Sequence, residues 1–179
     1  RYEQMLYPDL RGKAKIVYEF DATDMASGFM FPAMAREFRR GGIQFAAIFS
    51  YDMLRTAPMN LGWQTHFFNM VFTPSKAVSS MIAAEVMRRI PRGKHFGYYP
   101  DNRTFDDFRV SYDEQLSELN SGDMFYYSNT TSTRPKNLAA LKHIAGVGSS
   151  PVVRYSGTGI YFLDKQDDNT WQLEIYPDI

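Results

Sequence analysis

The sequence has no cysteine, which excludes disulfides, a thiol nucleophile and Cys-ligated zinc. It has no excess of either charge: 20 Lys+Arg stand against 20 Asp+Glu, a formal net charge of zero. Without a basic field, nucleic acid is not expected as a partner. No run approaches the roughly 18 consecutive apolar residues of a membrane span, and the first residues carry no signal-peptide pattern. His66, His95 and His143 stand apart from one another, and neither HExxH nor an EF-hand loop occurs, so no metal site is expected. GxSxG and P-loop motifs are missing too. Gly146-Val147-Gly148 and Gly157-Thr158-Gly159 lack the strand-to-helix setting of a dinucleotide loop and read as turns. No cofactor is expected.

What is present is globular: 44% hydrophobic and 22% charged residues over 179 positions. Aromatics reach 16%. They suit a core, and they also suit the faces of sugar rings. The chain begins with Arg rather than Met and reads as processed, trimmed or part of something longer.

Two regions differ in periodicity. In residues 1–92, Ala14 to Phe20 reads as a strand. Phe29 to Arg40 reads as a helix, with Phe31, Met34, Ala35 and Phe38 on one face, Pro32 in its first turn and Gly41-Gly42 as its stop. Ile43 to Phe49 is a second strand, apolar on both sides apart from Gln44, as in a parallel sheet covered by helices. Thr73-Pro74 opens a second helix, closed by Arg88, Arg89 and Pro91, with apolar residues around most of its circumference. The order β-α-β-α predicts parallel pairing through a right-handed crossover.

Residues 93–179 read as mostly antiparallel β, sandwich-like and incomplete. Met124 to Ser128, Val152 to Tyr155 and Thr158 to Leu163 are strand-like. Asp113 to Leu119 and Pro135 to Ile144 read as short helices. Asp167-Asp168-Asn169 turns a hairpin into Trp171, Leu173 and Ile175.

Candidate chemistry sits at the strand ends. In Ile16-Val17-Tyr18-Glu19-Phe20-Asp21, Glu19 occupies the C-terminal end of an apolar strand, where α/β enzymes place nucleophiles and bases. Its competing reading is a carboxylate paired to an arginine or capping a helix. Strand alternation places Asp21 on the same face as Glu19. Tyr51-Asp52 ends the second strand and should open on the same rim, with Trp63 and His66 on the loop beyond. Aromatic rings beside Asp and His form the kind of set a sugar site uses. The carboxyl pair of a retaining glycosidase lies about 5–5.5 Å apart and flanks the scissile bond. Two neighbours on one strand do that poorly, so a partner acid is expected elsewhere.

The order YEFDATD, REFRRGG, IQFAAIFSYD and TPSKA resembles the last two βα units of a clan-A glycoside hydrolase, a (β/α)8 barrel. The resemblance spans roughly residues 13–92. It implies an α/β fold in which 1–92 is the C-terminal part of the catalytic barrel and 93–179 is a following β domain, the whole being a fragment of a longer protein. It implies that Glu19 is the catalytic nucleophile of a retaining enzyme and that Asp21, Tyr51, Asp52, Trp63 and His66 bind substrate. The clan's acid/base Glu, after an Asn on the fourth strand, has no place in this chain. It would belong to the remainder of the same enzyme, the N-terminal barrel half. The implied partner is a poly- or oligosaccharide, and the implied setting is a secreted or periplasmic bacterial hydrolase. The alternative is a non-catalytic carbohydrate-binding or structural domain.

Overall fold

A computed structural model describes residues 3–22, 28–59, 68–98 and 101–177. A short parallel pair comes first: β1 (Ile16–Phe20) lies beside β2 (Phe45–Ile48), with helix α1 (Phe31–Arg40) on the crossover. Helix α2 (Pro74–Arg89) follows. Seven strands then form one sheet in chain order: β3 (Thr104–Phe105), β4 (Phe108–Ser111), β5 (Leu116–Asn120), β6 (Met124–Tyr127), β7 (His143–Val147), β8 (Ile160–Lys165) and β9 (Trp171–Tyr176). Its neighbours are antiparallel except β6 and β7, which run parallel.

This overturns the expected barrel fragment. Among the described residues there are two α-helices, a two-stranded parallel sheet and a mostly antiparallel seven-stranded sheet. The parallel pair does not continue into barrel units, and its outer face is uncovered: Ile16 is 61% exposed, Tyr18 83% and Phe45 60%. An apolar strand reads the same in sequence whether one or both of its faces are covered, which is why the run Ile43 to Phe49 suggested burial on both sides. The expectation of a mostly antiparallel second region is met.

Local chemistry explains the helices. Pro32 sits in the first turn of α1, where its missing N–H costs nothing. Phe31, Ala35 and Phe38 are buried on one face. Arg39 ties the C-terminal end down, donating to the carbonyls of Ile90 at 2.7 Å and Ile43 at 2.9 Å. Gly42 takes φ +80° just beyond it, a conformation that favours glycine. Helix α2 is apolar around most of its circumference because it packs on both sides, against α1 and against β5 to β8. Val78, Ile82 and Val86 are fully buried along it. Each contributes about 1.5–3 kcal/mol relative to an exposed side chain, as an upper bound. One apolar cluster runs from Phe31 and Ala35 through these residues to Phe108, Leu119, Val147 and Ile160.

The seven-stranded sheet alternates its faces. Leu119, Val147 and Ile160 turn toward α2, while Leu116, Phe125, Tyr127, Ile144 and Tyr161 form a second cluster. Several expectations change here. Leu116–Asn120 is strand, not helix, because Ser117 and Glu118 are buried and hide the alternation. Leu138–Ala140 is one 3-10 turn capped by Asn137, ahead of β7. Val152 to Tyr155 is not strand. The β3–β4 hairpin turns at Asp106-Asp107, with Asp106 at φ 53°. The β8–β9 hairpin forms as expected, Lys165 opposite Trp171.

Candidate functional site

Because β1 and β2 are parallel, their C-terminal ends lie on one side, and ligands of open parallel sheets bind outside such ends. The Phe49 N–H donates to Phe20 O at 2.8 Å across this end. β1 carries a bulge there. Val17 pairs with Ala46 and Phe20 with Ile48, so three residue steps on β1 oppose two on β2. A bulge breaks alternation and re-aims side chains. Phe20 turns inward and meets Phe31 and Phe38 edge-on, at centroid distances of 5.8 and 5.1 Å. Tyr18 and Glu19 are both left exposed. Among the described residues, the Glu19 side chain has no hydrogen bond and no ion pair. Among the described residues no arginine pairs with it and it caps no helix, the two forms of its competing reading.

Asp21 does not share the face of Glu19. It follows the last strand residue, and its side chain is 8% exposed. Its Oδ1 lies 2.8 Å from Lys76 Nζ and accepts the Ala22 N–H at 2.7 Å. The Lys76 side chain is 1% exposed, and its ammonium lies 5.7 Å from the centre of the Phe31 ring. Gly28, the first described residue after the segment that follows Asp21, packs directly on the lysine stem. A Cβ added there would come within 2.9 Å of Lys76 Cβ and Cγ.

The second strand ends similarly. Tyr51 forms an isolated bridge with Phe68, and the two rings meet edge-on at 5.4 Å. Tyr51 remains 52% exposed. Asp52 is buried. Its N–H donates to Phe68 O at 2.8 Å, and its carbonyl accepts from Asn69 Nδ2 at 2.5 Å. The fully buried Asn69 accepts the Val71 N–H at 2.8 Å. The Thr73 hydroxyl donates to Asn69 O at 2.8 Å and accepts its N–H at 2.9 Å. Thr73 stands at the N-cap position as expected, but its hydroxyl serves this network and not the helix. Trp63 and His66 lie outside the described residues.

The rim thus brings Glu19 and Tyr51 to the surface and holds Asp21 and Asp52 beneath it. Sequence reasoning missed Lys76. A lysine in the first turn of a helix runs against the macrodipole, and that misfit was the available signal for a dedicated carboxylate partner. Among the described residues no cluster of His, Cys, Asp or Glu is arranged to hold a metal, and no helix is long and apolar enough to cross a membrane. The chain matches no family model, no curated protein and no solved structure.

Proposed function

We propose that this chain carries the nucleophile of a retaining glycoside hydrolase. The observation that carries the reading is Glu19, exposed at a bulge on the C-terminal end of a parallel strand, with no partner among the described residues. A free carboxylate in that place is available to a substrate. In the reaction, Glu19 attacks the anomeric carbon as the glycosidic C–O bond breaks. A second carboxylic acid delivers its proton to the leaving oxygen. Water then cleaves the glycosyl ester, giving its proton back to that second group and freeing Glu19. No coenzyme is needed. Tyr51 offers a ring for the apolar face of a sugar, Trp63 and His66 extend the subsites, and Asp21 and Asp52 hold the rim.

The acid/base group comes from the remainder of the same enzyme. The exposed face formed by Ile16, Tyr18 and Phe45, on two strands that among the described residues pair only with each other, supports a covering segment of polypeptide. Action on polysaccharides goes with a secreted or periplasmic location. The test is Glu19→Gln in the complete enzyme. Release of reducing ends falls by several orders of magnitude while the melting temperature holds, and near-normal turnover overturns the assignment. The 179 residues alone are inactive, and turnover by them would place the acid within this chain.

A second reading is a non-catalytic carbohydrate-binding domain. It draws on the burial of Asp21 and Asp52, which leaves neither on the rim as an acid. Sugar binding by the complete protein, with no product from any polysaccharide offered, would favour it.

A further inference from the structure

We infer that Lys76 is a positioning residue for Glu19, acting through Asp21; the inference rests on the nucleophile reading above. Lys76 touches both ends of the segment that follows the nucleophile strand. Its ammonium holds Asp21 at 2.8 Å where the chain leaves β1. Its stem lies against Gly28 where the chain returns. The turn just before α2 treats the other rim segment alike, with Asn69 holding the Asp52 carbonyl and Thr73 holding Asn69. One short stretch, 69–76, therefore anchors both strand ends of the rim.

Stability does not account for the lysine. A buried ion pair loses to desolvation much of what it gains by attraction, and apolar replacements of the same pair are often neutral or stabilising. The helix N-terminus opposes a cation as well. What the pair supplies is a fixed distance between the first turn of α2 and a residue two places from Glu19. A catalytic carboxylate displaced by about 1 Å can lose on the order of a hundredfold in rate, so a support of this kind acts on the reaction more than on the fold.

The experiment uses the complete enzyme. The probes are the 2-deoxy-2-fluoroglycosyl fluorides of glucose, galactose, mannose and xylose, which trap the nucleophile as a stable ester read by peptide mass. Labelling of wild type at Glu19 is expected from at least one probe. With that probe, Lys76→Met slows the maximal labelling rate by roughly a hundredfold and leaves the concentration for half-maximal rate little changed. Lys76→Arg recovers most of the rate. The double variant Asp21→Leu with Lys76→Met melts within a few degrees of wild type and stays slow. If wild type is never labelled at Glu19, the nucleophile reading fails and this inference with it. If wild type is labelled and Lys76→Met, or the double variant, labels equally fast, the positioning role alone is overturned.

Discussion

The parallel pair and the seven-stranded sheet treat their polar and apolar groups in opposite ways. In the sheet, Glu118 is 1% exposed and has its carboxylate filled: it accepts from Arg109 at 2.9 Å, from the Thr133 hydroxyl at 3.1 Å and from the Thr131 hydroxyl. Tyr127 and Tyr161 share a buried hydroxyl contact. The parallel pair instead leaves Glu19 without a partner among the described residues and Tyr18, Ile16 and Phe45 exposed. The outer strand β9 of the sheet shows a comparable row, with Trp171, Leu173 and Ile175 exposed. The sheet encloses its carboxylate Glu118 in hydrogen bonds, and the parallel pair leaves Glu19 at the surface.

Substitutions can break that contrast. The largest effect on stability is expected in the sheet. Phe125→Ala, at a fully buried ring, should cost about 3–5 kcal/mol in denaturant unfolding. Glu118→Ala should cost less, about 1–3 kcal/mol, since it leaves the Thr131 and Thr133 hydroxyls beside an emptied site while Arg109 keeps Glu114. Tyr161→Phe removes one hydroxyl bonded to Tyr127 and to Gly148 O and should cost about 1–3 kcal/mol near neutral pH. The smallest effects belong to the parallel pair: Tyr18→Ser and Phe45→Ser should each fall near ±0.5 kcal/mol and should raise solubility. A loss above about 2 kcal/mol at either would mean that the uncovered face is covered.

Alkaline pH sharpens the same comparison. Burial, then the hydrogen bond with Tyr127, raises the Tyr161 hydroxyl well above the ordinary tyrosine range. The folded state therefore keeps a proton that the unfolded chain releases near pH 10. The stability this contributes is complete below that pH and is lost as pH rises above it. Phenolate absorbance and circular dichroism should change together in a cooperative step above about pH 10, and Tyr161→Phe should lessen the alkaline loss.

Much of the first region was legible in the sequence. Pro32, Gly41-Gly42 and Pro74 punctuate the helices, and the order of elements gave the parallel pairing. The bulge at Glu19 was not legible, because it uses ordinary residues with no glycine to mark it. Strand alternation therefore misplaced Asp21. The partner of Lys76 lies far away in sequence, so only the helix-dipole misfit hinted at it. β5 hid because its polar residues turn inward, and the β3–β4 hairpin hid because Asp106 supplies the positive φ that Gly more often marks. The barrel expectation failed for a general reason: strand and helix order constrain neighbours, whereas sheet closure depends on edges that no local pattern records.

Helix α2 serves both regions with one set of buried residues and shows solvent little more than Ala84 and Arg88. Val78, Ile82 and Val86 are fully buried, and the Ser79 hydroxyl accepts from the Ser117 hydroxyl, which lies 3.1 Å from that of Ser128. A break in the chain behind the helix, near residue 92, would leave one piece with the buried side of α2 bare and the other with the sheet face that covers it bare. Neither would be a workable module. The two regions should open in a single cooperative event, and the α2 amides, guarded from both sides, should be among the last to exchange their hydrogens with water.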